Sequence, residues 1–162
     1  MKKILIVSML LIVSACSTHN MNYQGSADIN SYGTVISVKV TGNQNVSEKL
    51  SNYLQSGLMK HGFKIDQNNP KATNLTVNIS EFNTGNVALR LGIGLGAGRA
   101  SLMYNAKFSN DGKVFVDYNG AERFTGMELS NPEVWYSIPG PETVTLILLK
   151  AASDSILGVA FP

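Results

Sequence analysis

Leu75-Thr76-Val77-Asn78-Ile79-Ser80 alternates strictly between apolar and polar side chains. Successive side chains of a strand point to opposite faces, so Leu75, Val77 and Ile79 share one side and Thr76, Asn78 and Ser80 the other. The period predicts a half-buried strand, with one face on a core and one in water. Leu54 of the helix read below is expected to be buried against that core, whereas Thr76 is expected to tolerate lysine. Ser101 to Phe108 repeats the pattern, with Leu102, Tyr104, Ala106 and Phe108 on one face. Asn110-Asp111-Gly112 follows, and Asp-Gly favours the positive φ angles of a tight hairpin turn. Val114, Val116 and Tyr118 then continue on a return strand extending towards Phe124.

Thr34 to Val40 is β-branched and reads as a first strand, with Ile36, Val38 and Val40 on one face. Asn45 to His61 reads as a helix, with Val46, Leu50, Tyr53, Leu54 and Leu58 on one side. Asn45 followed three residues later by Glu48 has the pattern of a capping box. Gly62 suits the position just past the helix, where φ is positive. Phe63-Lys64-Ile65 begins a short strand, and Asn68-Asn69-Pro70 a loop. Residues 126–141 read as a loop holding Pro132, Trp135, Pro139 and Pro141, the last suited to a first helical turn. Val144 to Leu157 is apolar over a wide arc, which predicts a well-buried helix. The order β-α-β-β-β-β-α predicts an α+β fold, a two-layer sandwich of a largely antiparallel sheet with two helices on one face.

The N-terminus carries a different signal. Met1-Lys2-Lys3 is basic, Ile4 to Val13 is apolar apart from Ser8, and Ser14-Ala15 leads to Cys16, the single cysteine of the chain. This is the pattern of a secretory signal peptide over residues 1–15, with an apolar run too short for the ~20 residues of a membrane-spanning helix. Val13-Ser14-Ala15-Cys16 resembles a bacterial lipobox. The resemblance implies that the Cys16 thiol receives a diacylglycerol, that the chain is cut before it and that the new amino group is acylated, commonly with palmitate. Several acyl chains at ~0.8 kcal/mol per buried CH₂ hold such a protein firmly on a membrane. Ser17, where inner-membrane lipoproteins of diderm bacteria carry aspartate, implies the outer membrane, with the domain facing the periplasm. Residues 16–32 are polar and without periodicity, and read as a lipidated flexible tether. Residues 33–162 are then a single domain.

From Cys16 the chain has 147 residues, enough for one self-sufficient core. Losing Lys2 and Lys3 with the signal leaves 11 basic against 11 acidic residues. That balance argues against nucleic acid as a partner, which calls for a basic surface. The lone cysteine excludes an internal disulfide. Asn-x-Ser/Thr patterns at Asn45, Asn74 and Asn78 have no glycosylation role in a bacterial lipoprotein.

The least ordinary stretch is a glycine ladder. Gly92, Gly94, Gly96 and Gly98 occupy every second position, with Leu91, Ile93, Leu95 and Ala97 between them. As a strand it has one aliphatic face and one bare face, which a backbone, a ring or a bilayer can approach closely. It completes neither GxGxxG nor a P-loop, and the segment after it alternates as a strand, so phosphate binding is not expected. A bulged hairpin that bends the sheet, a partner or oligomer contact and a membrane-contacting hairpin all fit it. Arg90 and Arg99 bracket the ladder, either as gatekeepers or as anchors for an anion. Trp135-Tyr136 is a second candidate contact, since an amphipathic aromatic pair often anchors an interface; the alternative is a loop tucked over the core.

The run Leu50…Leu54…Leu58…Gly62-Phe63, then Leu75-Thr76-Val77-x-Ile79, then Gly85-Asn86…Arg90…Gly92-x-Gly94-x-Gly96-x-Gly98 and Asp111-Gly112-Lys113 resembles a family of proteobacterial lipoproteins. Their domain is classed only as one of unknown function. The resemblance covers about residues 34–126 and implies no reaction. In layout alone the chain is similar to envelope-assembly lipoproteins, including the curli secretion lipoprotein and activators of cell-wall synthases.

No catalytic, metal or cofactor site is expected. The chain has two histidines, His19 in the tether and His61 at a helix end, where a cation is favourable. There is no Cys/His cluster for zinc and no GxSxG elbow. Asp117, Glu122 and Glu128 are scattered and read as solvated surface. The sequence thus predicts a non-enzymatic outer-membrane lipoprotein acting as an accessory or interaction protein in envelope assembly or secretion. Its partner is an unknown envelope protein or a second copy. Subunit of an oligomeric export pore is the alternative.

Overall fold

The computed structural model describes residues 23–24, 29–86, 88–89, 98–124 and 140–161. It contains β1 (Tyr23–Gln24), a 3-10 turn (Ile29–Tyr32), β2 (Val35–Thr41), α1 (Gln44–Lys60), β3 (Lys64–Ile65), β4 (Thr73–Asn83), β5 (Ala100–Asn110), β6 (Lys113–Phe124) and α2 (Pro141–Ala160). The strands form one sheet in the order β1-β6-β5-β4-β2-β3. The long β4–β5–β6 meander and β1 are antiparallel, while β2 runs parallel to both β3 and β4. Parallel neighbours need a crossover, and α1 provides it. Both helices cover one face: α1 packs on β2, α2 on β5 and β6, and the helices pack on each other. The fold is the expected α+β two-layer sandwich.

The helix ends show where local chemistry acts. His61 is the C-cap of α1, and Gly62 follows at φ +86°. The Gly62 N–H donates to Met59 and the Phe63 N–H to Leu58, satisfying two terminal carbonyls. Leu58 and Phe63, both buried, give this Schellman ending its apolar contact. At the other end the expected capping box is absent. Asn43, not Asn45, is the N-cap, and no side chain caps it. Gly42, at φ +124°, takes the chain so close to Ile79 that a Cβ there would lie 2.8 Å from its carbonyl oxygen, and α1 begins just beyond, at Gln44, one residue before Asn45. Gly140 and Pro141 open α2.

The core lies between the sheet and the helices. Leu75, Val77 and Ile79 meet Leu102, Tyr104, Ala106 and Phe108 there, with Val46, Leu50, Leu54 and Leu58 of α1 and Val144, Leu148, Leu149 and Ile156 of α2. The other face is polar. Ser37 donates to Asn74 at 2.6 Å, Thr41 to Asn78 at 3.1 Å, and Asn105 to Asp117 at 2.6 Å. The hairpin turn is as read, with Asp111 at φ 48° and Gly112 at φ 75°. A bulge between Phe108 and Ser109 shifts the register beside it, so Val114 faces solvent instead of continuing the row of Val116 and Tyr118.

Of the tether expected over residues 16–32, the structure describes Tyr23–Gln24 and Ile29–Tyr32, and these residues contact the domain. Tyr23 and Gln24 pair with Tyr118 and Asp117 of β6. Ile29 is wholly buried in the core. The Tyr32 ring stacks on Phe115 at 3.9 Å, and its carbonyl accepts a hydrogen bond from Thr73. The part of this polar stretch at Ile29–Tyr32 thus belongs to the domain, with the Ile29 side chain buried in the core.

Candidate interaction site

Strand directions place the candidate segments. β4 and β6 run the same way, each antiparallel to β5, and β2 runs with β4. The stretch between β4 and β5, which contains the ladder, therefore joins the sheet at the end where β6 finishes. Ala100 pairs with Phe124 there. The chain leaving Phe124 towards Trp135 and Tyr136 departs beside the ladder's C-terminal stem. β2 also ends on this side and delivers the N-terminus of α1.

The stem of the ladder is pinned by two glycines. Gly85 and Gly98 have φ angles of +71° and +70°. The Asn86 N–H donates to the Gly98 carbonyl at 3.1 Å, and the Gly85 N–H to the Asn83 side chain at 2.7 Å. A Cβ at Gly85 would collide with the carbonyl oxygens of Gly98 and Arg99. Gly98 of the ladder thus has a conformational reason to be glycine. Arg99 is exposed beside it. Arg90, Gly92, Gly94, Gly96, Trp135 and Tyr136 lie outside the described residues, as do Cys16 and Glu128.

One site was not legible. Glu122, read as solvated surface, is 2% exposed and faces the helices. It accepts hydrogen bonds from the hydroxyls of Tyr104 at 3.1 Å and Ser155 at 2.9 Å. Burial, then the Glu122 carboxylate, pushes the Tyr104 phenol above its ordinary range, so Tyr104 remains a donor. The signal that finds Glu122 is parity: it falls on the same alternating face as Val116, Tyr118 and Phe124. Asp117, of the opposite parity, does face the open side. Hydrogen bonds from Asn105 and then Lys107, which lies 2.9 Å away, hold its carboxyl below the ordinary range.

A shallow groove separates the end of β2 from the first turns of α1, lined by Val40, Thr41, Gly42, Gln44, Glu48 and Ser51 among others. Nearby, the buried Ser47 hydroxyl has no hydrogen-bond partner among the described residues. No group of three or more His, Cys, Asp or Glu suited to a metal occurs among the described residues. His61 stacks on Phe161 at 4.1 Å at the far end of the domain. Helix α2 is long and apolar enough to cross a membrane by length and composition, but it packs on the sheet and on α1 as a core helix.

These features define a two-layer α+β domain whose candidate contact segments attach at one end of the sheet. The chain belongs to the family described as a domain of unknown function (DUF4410), whose model matches residues 36–158. The match extends past residue 126 to take in most of α2. No curated protein matches the chain. Solved structures similar in outline include the PelC dodecamer from Paraburkholderia phytofirmans, at 13% identity, covering 81% of this chain and 93% of that one, TM-score 0.48. A Caulobacter crescentus protein described as a lipoprotein is 16% identical, covering 83% and 93%, TM-score 0.49. A minor lipoprotein from Acinetobacter baumannii is 13% identical, covering 76% and 88%, TM-score 0.43.

Proposed function

We propose that the chain is a non-enzymatic lipoprotein, anchored to the outer membrane through Cys16, that serves as an accessory or interaction protein in envelope assembly or secretion. The observation that carries this reading is the shared end of the domain. The glycine-pinned stem of the ladder and the departure point of the Trp135-Tyr136 segment sit side by side at the Ala100–Phe124 pair. Two segments of unusual composition that leave the sheet at neighbouring points are suited to act as one contact surface. The Glu122 cluster takes no part, because it is sealed in the core.

The second reading, a subunit of an oligomeric export pore, makes a second copy the partner. A sheet edge that is open among the described residues favours it. β3 pairs with β2 only at Val35 and Ile36, and the Gln67 side-chain amide closes the edge at Val38 by bonding both its N–H and its carbonyl. Val40 lies beyond that closure, where another strand can add.

The anchor is tested by feeding cells labelled palmitate: the parent is expected to be labelled and Cys16→Ser not. The contact surface is tested by Gly94→Val. Valine suits a strand, so an unchanged melting temperature with loss of in-cell crosslinks supports an envelope partner. A ring-sized detergent-solubilised assembly, present in the parent and absent in the variant, supports the pore. A variant that melts normally and keeps every crosslink and assembly removes the ladder from the account.

A further inference from the structure

Every second residue of β2 turns its backbone groups out of the sheet edge. The Lys64 N–H donates to the Thr34 carbonyl at 2.8 Å, and the Asp66 N–H to the Ile36 carbonyl at 3.1 Å. At Val38, where β3 has ended, the Gln67 side-chain amide stands in for a strand. It accepts from the Val38 N–H at 3.2 Å and donates to the Val38 carbonyl at 3.1 Å. Val40 is next in the series, and among the described residues no backbone or side-chain group bonds it on that side. Beside it runs the shallow groove between the end of β2 and Gln44, Ser47, Glu48 and Ser51 of α1. We propose that this groove takes a short extended segment of a partner protein, paired with β2 at Val40, with an acidic residue beside Lys39 and a hydroxyl-bearing residue towards Ser47.

Three features define the occupant. The first is the backbone pair at Val40. Gln67 shows what satisfies the pair before it: one amide that offers both a carbonyl and an N–H. A peptide strand along the edge repeats that amide at every second residue. The second is charge. Lys39 is exposed and forms no ion pair among the described residues. It stands at the edge of a row that crosses the open face through Thr76 and Lys107 to Asp117. Asp117 answers Lys107 at 2.9 Å, so the cation left without an acid is the one at the edge. An acid directly opposite on an added strand supplies it. The third is on the helix-bearing side. Ser47 lines the groove and is 8% exposed, and its hydroxyl has no hydrogen-bond partner among the described residues. A helical side chain leans back over the preceding turn, here the first turn of α1. A buried hydroxyl left unpaired is unfavourable. Strand side chains alternate, so the residue after the acid turns to this side, where its hydroxyl can both donate to Ser47 and accept from it.

The docking rests on neither the lipid anchor nor the pore reading. It gives to a different protein the edge that the pore reading gives to a second copy, and the two occupants leave different signals.

The test uses the full chain, isotope-labelled and solubilised in detergent. Two blocked hexapeptides are the probes, one alternating threonine with glutamate and one alternating threonine with lysine. The glutamate peptide is expected to shift the Val40 and Thr41 amide signals and, at saturation, to slow exchange of the Val40 amide about tenfold or more. It is expected to bind about threefold or more tighter than the lysine peptide. Lys39→Glu, a change at an exposed position, is expected to reverse that preference. Ser47→Ala is expected to keep or raise the melting temperature, because it removes an unpaired hydroxyl, and to weaken the glutamate peptide about threefold or more. No shift at Val40 with either peptide at millimolar concentration overturns the docking. Equal affinity for the two peptides, or a preference that survives Lys39→Glu, overturns the acidic register. The comparison of the two peptides on the unaltered chain decides independently of whether the variants fold. A Val40 amide already protected without peptide, whose exchange quickens on dilution, assigns the edge to a second copy and overturns the partner.

Discussion

Tyr104 and Gly120 face each other across β5 and β6, and the phenol ring fills the space that a side chain at 120 would need. The bare position lets the ring lie against the backbone, as aromatic residues do over strand glycines. It also leaves the phenol oxygen beside Glu122, two residues along β6. One glycine thus decides how a buried carboxylate is satisfied.

Gly120→Ala is therefore expected to displace the Tyr104 ring and loosen its bond to Glu122. The expected cost is about 1–3 kcal/mol, typical of overpacking, measured by denaturant unfolding. Tyr104→Phe in the Gly120→Ala background is expected to cost less than the sum of the single changes, because both act on one contact. Strict additivity would separate Gly120 from the cluster.

Gly62 and Gly85 both have positive φ but differ in surroundings. A Cβ at Gly62 meets nothing, so Gly62→Ala carries only the left-handed backbone penalty, roughly 1–2 kcal/mol. A Cβ at Gly85 meets the Gly98 and Arg99 carbonyls, so Gly85→Ala is expected to cost clearly more and to loosen the stem. Melting curves of the two variants give the order, and equal losses would mean that the stem is less tightly closed than its geometry implies.

Leu54 is wholly buried, and Leu54→Ala is expected to cost about 2–5 kcal/mol. Thr76 is exposed, as its alternation implied, but its neighbours change the expectation for lysine. It sits in register between Lys39 of β2 and Lys107 of β5. Thr76→Lys sets three cations in a row and is expected to cost up to about 1 kcal/mol, whereas Thr76→Glu is expected to be neutral or stabilising. Added salt should narrow the gap between the two variants.

Asp117 gives a pH signature. Its folded pKa is depressed, so its contribution to stability is present above the ordinary carboxylate value and is lost as pH falls through the lower folded one. Carbon NMR titration of the carboxyl is expected to show a midpoint below about 3.9, the unperturbed value. Asn105→Ala and Lys107→Ala should each raise that midpoint, since both side chains hold the ionised carboxyl. An unmoved midpoint in Asn105→Ala would dismiss the bond.

What the sequence determined by itself is local. The period of Leu75, Val77 and Ile79 marks a strand because backbone geometry alternates side chains whatever lies beyond them. Gly62 ends α1 and Asp111-Gly112 turns the hairpin because positive φ is a property of a few residue types. The tertiary structure alone decided which strands lie together. Parallel β2 beside β4, the bulge that turns Val114 outward and the burial of Ile29 depend on surfaces distant in sequence. Glu122 shows the reason most plainly. Its charge marks it as a surface residue by type, yet the parity of β6, the missing side chain at Gly120 and hydroxyls from β5 and α2 together place it in the core. No local window contains those groups, because folding alone brings them to one carboxylate.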